Sequence, residues 1–304
     1  IREPVRTHLD ITSLIFELEH MGRSPVVIYE NVEGHKLPVV TNIAGNRKLL
    51  AACLGVPVPD LPAAFRERCQ KYIPCETVAK GAWDDVVLEG DQVDLNALPI
   101  PYHFHVDKAP YITAGQLTAR DPESGIDTTG FHRLMLSGKN RLGVSLHSRR
   151  RMHEFHRRAE ARGEALPVAI TLGIHPLHYM GSMVFAYPPN VRKFEIIGGL
   201  FGEPYRLARC GVGDLEVPAG AVDQRIFIDP ADPGRVRPEP GGDAVGQQVA
   251  EGVEPFEHAG AGEVGVHLVV EHDGEEREPE HRRDRKSTRL NSSHITISYA
   301  VFCL

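Results

Sequence analysis

Between Thr128 and Arg151 the chain reads TTGFHRLMLSGKNRLGVSLHSRRR, and period-two alternation there leaves little room for anything but a hairpin. Phe131, Arg133 and Met135 share one face of a strand expected from Thr129 to Leu136. After the turn, Leu142, Val144 and Leu146 form the apolar face of a second strand, Leu142 to His147, with Ser145 and His147 on its polar face. Ser137-Gly138-Lys139-Asn140 supplies the turn, because Gly and Asn accept the positive φ angles that hairpins need. Ser148 is expected to cap a following helix that turns Met152, Phe155 and Ala159 inward and stops at Gly163. The segment gathers His132, Arg133, His147, Arg149, Arg150 and Arg151 in a chain whose formal net charge is -7. Such a reversal of sign beside a helix N-terminus is suited to a phosphate or carboxylate. The plainer reading is a solvated basic helix face.

Upstream, Asp10 is expected to cap a helix carrying Ile11, Leu14, Ile15, Leu18 and Met21 at helical spacing and ending at Gly22. Strands at Val26 to Tyr29 and Val39 to Thr41 follow, then a helix from Asn46 to Leu54 stopped by Gly55 and Pro57, and another from Pro62 to Tyr72. Residues 1–96 read as a small α/β domain. From Leu98 onward strands dominate: Tyr111 to Ala119, the two hairpin strands, Val168 to Leu172, Tyr205 to Cys210 and Leu215 to Val217. A helix near Asn190 to Phe201 turns Val191, Phe194, Ile197 and Phe201 inward and Arg192, Lys193 and Glu195 outward. Short, mostly antiparallel strands with few helices predict a small barrel or sandwich. After Ala221 the charge density rises, and Phe227 and Phe256 are the only aromatics before Lys286. Such a segment is not expected to form its own core. The final alternating run has no evident partner strand.

Composition narrows the function. A pI near 6.2 argues against a general nucleic-acid binder. No apolar run reaches the roughly 20 residues of a membrane helix, and no signal segment opens the chain, so a cytoplasmic protein is expected. Cys53, Cys69, Cys75, Cys210 and Cys303 form no CxxC pair and read as reduced thiols. The chain opens on Ile1 and not Met, so its start is not expected to be that of the natural gene product.

The ordered segments VVTNIAGNRKLLAACLGV, PYITAG, DPESGIDTTGFHRLML, KNRLGVSLHSRRR, KFEIIGGLFGEP and GDLEVPA resemble the UbiD family of prenylated-flavin-dependent decarboxylases over residues 8–221. The resemblance implies an α+β chain: the N-terminal α/β domain, then a split β-barrel flavin-binding domain related to flavin reductases at 97–221, with a non-family tail at 222–304. The family's C-terminal dimerisation domain has no counterpart here. It implies non-oxidative, reversible decarboxylation of an aromatic, heteroaromatic or α,β-unsaturated carboxylic acid, with prenylated FMN as the electron sink that an sp² carbanion requires. Arg133 falls at the position of the catalytic arginine, which holds the substrate carboxylate and pairs with glutamates; bidentate geometry suits arginine to that task. Thr128, Phe131, His132, Arg133, Ser145, Leu146, His147, Arg150, Arg151 and Lys193 fall at cofactor-binding positions. The implied partners are a small-molecule acid, a flavin prenyltransferase as cofactor supplier and, for the full-length form, further copies of itself. Alternatives are a flavin reductase-like oxidoreductase and an inactive flavin-binding fragment.

Two departures matter. The family holds manganese at the cofactor phosphate with an asparagine five residues before the arginine and a glutamate before the aromatic of the YEIAGG-like helix; here these are Thr128 and Lys193, a weak ligand and a cation. Lys193 then either replaces the metal as phosphate counter-charge or faces solvent beside Glu195. After VPA the catalytic glutamates have no recognisable place. The loss of pattern near residue 221 resembles a reading-frame change, and the end from about Lys286 resembles read-through, so the chain is expected to be a C-terminally truncated or frameshifted fragment.

Weaker signals are discounted. His103 and His105 form an HxH pair that reads as a loop rather than a metal site. Gly260 to Gly265 match GxGxxG, but the following VHLVVEH does not open a helix. Tyr179, Met180 and Met183 read equally as pocket lining or as core.

Overall fold

The computed structural model describes residues 1–81, 88–146, 150–210 and 214–220, and beyond them the strand segments Phe227–Ile228, Val236–Arg237, Gly265–Glu271 and Ser292–Cys303. Helix α1 (Asp10–His20) starts after Leu9, which takes φ 72°, and Asp10 does not cap it. The Asp10 carboxylate instead accepts from the Arg6 backbone at 3.0 Å and its guanidinium at 2.9 and 2.7 Å. Ile11 packs with Val5, Val27, Tyr29 and Val32 beneath the antiparallel pair β1 (Val27–Tyr29) and β2 (Val39–Thr41). Met21, expected inward, is 61% exposed because the helix ends before it. Helix α2 (Arg47–Cys53) is capped by Asn46, whose side chain accepts from Leu49 N at 2.9 Å. Helix α3 (Leu61–Arg68) stops short of the expected Tyr72.

The strands then run β3 (Glu76–Val78), β4 (Leu88–Glu89), β5 (Tyr111–Ile112), β6 (Gln116–Arg120), β7 (Asp127–Phe131), β8 (Leu134–Gly138) and β9 (Arg141–Ser145). Helix α4 (Arg151–Ala161), β10 (Val168–Thr171), α5 (Pro176–Ser182), α6 (Lys193–Phe201), β11 (Arg206–Arg209) and β12 (Glu216–Pro218) follow, with β13 (Phe227–Ile228), β14 (Val236–Arg237), β15 (Gly265–Glu271) and β16 (Ser292–Cys303) beyond. Among the described residues the main sheet has nine strands, eight in the order β5-β8-β9-β16-β15-β10-β6-β7 and β4 paired to β16.

This arrangement corrects the expected split β-barrel. Strands β5 and β7 end the path and do not pair with each other, so the sheet is open. The strand expected at Thr129 to Leu136 is two: β7 pairs with β6, β8 pairs with β9, and only His132 and Arg133 link them. A two-residue link spans at most ~11 Å, so the end of β7, the last strand of the path, lies near the start of β8, which is second from the other end. The β8–β9 hairpin turns at Lys139–Asn140, as the sequence predicts. The expected strand from Tyr111 to Ala119 also breaks. At Gly115 a Cβ would lie 2.8 Å from Leu134 Cδ1, which leaves room only for glycine without a shift. The alternating run at the chain's end, expected without a partner, forms β16 between β9 and β15.

Both faces of β10 are buried, with Val168 and Ile170 in one core and Ala169 in another. The first core joins Leu117, Leu134, Leu142 and Val144 to Met152, Phe155 and Ala159 of α4, the inward face predicted for that helix. On the other side α5, which the sequence reading lacked, is buried along its whole length. It packs against α2 and α6 through Leu50, Leu177, Met180 and Leu200. Strand β3 joins β11 in parallel, so the first third of the chain contributes to the sheet β12-β11-β3.

The approach of α3 to α6 depends on Gly199. A Cβ there would sit 1.9 Å from the Lys71 carbonyl oxygen and 2.6 Å from that of Arg68. Gly199→Ala should therefore lose about 3 kcal/mol to overpacking, where an unobstructed helical site would gain about 1 kcal/mol. Urea unfolding of the two proteins gives the sign directly, and a raised midpoint for the alanine variant would refute the close approach.

Among the described residues no single helix is long and apolar enough to cross a membrane. Cys53, Cys69, Cys75 and Cys210 form no disulfide, and burial pushes the Cys53 and Cys75 thiols up to about 12.

Candidate functional site

The corner between β7 and β8 turns two adjacent residues to different environments. His132 is buried, its backbone N–H donates to Gly115 O at 3.3 Å, and its Nδ1 lies 3.4 Å from the Ser145 carbonyl. Burial lowers its pKa, with Arg150 and Lys193 adding repulsion, so the ring is held neutral. Arg133 is exposed and makes no hydrogen bond or ion pair among the described residues. It lies in the two-residue link between β7 and β8. Phe131 stacks on Tyr179 with ring centres 5.2 Å apart. Leu146 packs against the main core.

Beside this corner lies the loop between α5 and α6, and Tyr187 is its hub. The Tyr187 hydroxyl lies 3.1 Å from Thr128 Oγ1 on β7. The Arg151 guanidinium sits 3.7 Å from the ring centre and donates to the Tyr187, Pro188 and Pro189 carbonyls at 2.8, 2.9 and 3.4 Å. Lys193 Nζ lies 5.0 Å from the same ring centre and donates to Ser182 O at 2.9 Å and to Val184 O. Arg150 lies over Phe185 at 5.6 Å. Helix α4 opens at this cluster. Its N-cap is Arg150 and not Ser148, and no side chain caps it, so first-turn N–H groups remain available to an anion.

Lys193, expected on the outer face of its helix, is only 5% exposed. That excludes the solvent-facing alternative. Burial, with repulsion from Arg151 and Arg150, lowers its ammonium to about 7. Next to it Arg192 donates to Asp127 through Nε at 2.7 Å and to Glu216 through Nη2 at 2.6 Å, bracing α6 against β7 and β12.

The structure thus brings together Thr128, Arg151 and Lys193 around Tyr187, with Arg150 over Phe185, and places Phe131, His132, Arg133, Ser145 and Leu146 at the adjoining corner. His147, Ser148 and Arg149 lie outside the described residues. Tyr187 and Arg192 were not among the residues expected from sequence. A tyrosine ahead of Pro-Pro in a loop carries no periodic signal, and Arg192 reads as one more surface charge. His103 is a loop residue, with Nε2 3.0 Å from Tyr111 O, and the described residues contain no grouping of three metal-ligating side chains. The GxGxxG match leads into β15 and not into a helix.

Cations gathered at a sheet corner and at a helix N-terminus are suited to an anion such as a phosphate or carboxylate. The model of the UbiD 3-octaprenyl-4-hydroxybenzoate carboxy-lyase Rift-related domain matches residues 76–239, and that of the same enzyme's N-terminal domain matches residues 1–69. The chain belongs to the UbiD family. It is 33% identical over 226 residues to an anhydromevalonate phosphate decarboxylase of Methanosarcina mazei, covering 71% of this chain and 50% of that protein. A relative of the same description in Methanothermobacter thermautotrophicus is 28% identical over 222 residues, 73% of this chain and 50% of that one. Among solved structures, an evolved dimeric form of the UbiD-class enzyme HmfF from Pelotomaculum thermopropionicum in complex with prFMN superposes with a TM-score of 0.75 at 25% identity, over 100% of this chain and 61% of that one. The chain spans about half the length of the curated relatives it matches.

Proposed function

We propose that this chain is the flavin-binding part of a carboxy-lyase that removes carbon dioxide, reversibly and without net oxidation, from an aromatic, heteroaromatic or α,β-unsaturated acid. The observation that carries this reading is the corner itself: Arg133 and the neighbouring cations Arg150, Arg151 and Lys193 have no carboxylate partner among the described residues. The donors present fit a flavin phosphate. Arg150, Lys193 and the open turn of α4 would hold it, while Phe131, His132, Ser145, Leu146 and His147 would line the ring system, with Thr128 and Arg151 fixing Tyr187 between the two regions. Bound prenylated FMN would supply the electron sink for the carbanion left by decarboxylation.

The chain's own residues would do the rest. Arg133 would grip the substrate carboxylate by two parallel N–H···O bonds and orient it over the ring. His132, kept neutral, would leave the carboxylate's charge to Arg133 alone. With a flavin and a small acid as its proposed ligands, we propose a cytoplasmic protein that takes its cofactor from a flavin prenyltransferase, binds no nucleic acid, and self-associates in its full-length form. The proposed domain division is an N-terminal α/β part at 1–96, a flavin-binding part at 97–221 and a tail at 222–304.

A second reading is a chain that binds flavin and turns nothing over, favoured by Arg133 having no carboxylate partner among the described residues. Co-expression with a flavin prenyltransferase, followed by flavin analysis of the purified chain and a carbon dioxide release assay on a panel of unsaturated acids, tests both. Flavin with turnover supports the first reading, flavin without turnover the second, and neither flavin nor turnover would sink the site.

A further inference from the structure

Lys193 is a buried ammonium whose surroundings answer only part of its charge. Two of its N–H groups go to the Ser182 and Val184 carbonyls, and no carboxylate among the described residues pairs with it. Carbonyl dipoles and the face of Tyr187 solvate a cation, but a buried charge remains costly without an opposite one. Arg150 and Arg151 add the same sign nearby, and lower the Lys193 ammonium further.

A divalent metal does not fit this place. Manganese favours carboxylate, carbonyl and water oxygens, yet the described residues hold no grouping of three His, Cys, Asp or Glu side chains, and the Thr128 hydroxyl is engaged with Tyr187. The Ser182 and Val184 carbonyls are the oxygens an inorganic cation could use, and the ammonium already occupies both.

Taking the flavin site as proposed above, we infer that the Lys193 side chain is a built-in counter-cation for the cofactor phosphate, standing where family relatives hold a metal, so that this chain binds phosphorylated flavin without any metal ion. The ammonium is tethered by two carbonyls and keeps its third N–H for the phosphate. Arg150 and Arg151, at the opening of α4, bring further positive charge to the same place. Metal and lysine are exclusive solutions, since two cations cannot share the same carbonyl pair.

The test is flavin binding by the purified chain, read from flavin fluorescence, with FMN and with riboflavin, which lacks the phosphate. Each is titrated in EDTA and again in excess Mn²⁺, with metal content measured alongside. The expected FMN affinity is the same within twofold in both buffers and at least tenfold above that of riboflavin. Lys193→Met, which keeps the volume and removes the charge, should weaken FMN at least tenfold and leave riboflavin unchanged. The pair Thr128→Asn with Lys193→Glu should bind FMN only when Mn²⁺ is supplied. FMN binding by the unaltered chain that is lost in EDTA would overturn the inference, as would unaltered FMN affinity in Lys193→Met. Equal affinity for FMN and riboflavin would show that no phosphate is held here. Failure to bind either flavin would instead refute the flavin site on which the inference rests.

Discussion

Arg192→Met is expected to cost about 3 kcal/mol of stability, or a melting temperature lower by roughly 10 °C. The guanidinium donates to Asp127, whose side chain is 3% exposed, and to Glu216, which also accepts from Thr77 Oγ1 at 2.7 Å. One residue thus ties α6, β7, β12 and β3 together. Methionine fills the space but leaves two carboxylates without their shared cation, and Arg120 at 4.0 Å from Glu216 replaces it poorly. The pH dependence fixes the cause. Burial already pushes the Asp127 carboxyl up against the pull of Arg192, and without Arg192 it rises further above its unfolded value. A raised carboxyl contributes stability at acid pH and loses it as pH rises through the folded pKa. Glu216 behaves oppositely in the unaltered protein: against the cost of burial, Thr77 and Arg192 hold it low, so its contribution fades as pH falls. The gap between the two proteins should therefore be widest at pH 7 and narrow toward pH 4. Asp127→Asn combined with Arg192→Met should recover part of the loss. Urea midpoints that differ little, and equally at both pH values, would show the ion network to be unimportant.

Local signals were legible where one periodicity ran between clear punctuation. The β8–β9 turn follows from Gly138 and Asn140, the inner face of α4 from Met152, Phe155 and Ala159, and the start of α2 from Asn46. Alternation alone could not show that the strand through His132 and Arg133 breaks, because the pattern continues across the corner while the hydrogen-bond partner changes from β6 to β8's neighbour β9. Helix α5 was illegible for a different reason. All its residues are buried, so no polar stripe marks a period. The open sheet reflects which distant strands pair, and β15 and β16 join it from far along the chain. Lys193 read as an outward charge because the carbonyls that hold it, at Ser182 and Val184, come from the end of α5 and the loop after it and not from its own helix. Family motifs named most of the residues that meet at the corner, yet Tyr187, which lies among them, is outside any motif.

Arg133→Ala is expected to lower kcat/KM for decarboxylation by about a thousandfold, the scale of losing a charged anchor at the reacting group. The residue is well placed for a clean measurement. It is exposed, sits in the link between β7 and β8 outside either ladder, and has no intramolecular partner among the described residues, so truncation should change stability by less than about 0.5 kcal/mol. Flavin affinity should also hold, because Arg150 and Lys193, the cations proposed for the phosphate, lie in the neighbouring cluster. An unaffected flavin titration with lost turnover separates a role toward substrate from a role toward cofactor. Arg133→Lys sharpens the claim. A lysine keeps the charge but offers no planar fork, so it should restore only a small part of kcat and leave KM raised. The measurement requires a form of the protein that turns over, since the chain spans about half of its curated relatives. In that form, full activity of Arg133→Ala would remove Arg133 from the site. Full rescue by lysine would reduce its role from bidentate positioning to simple charge.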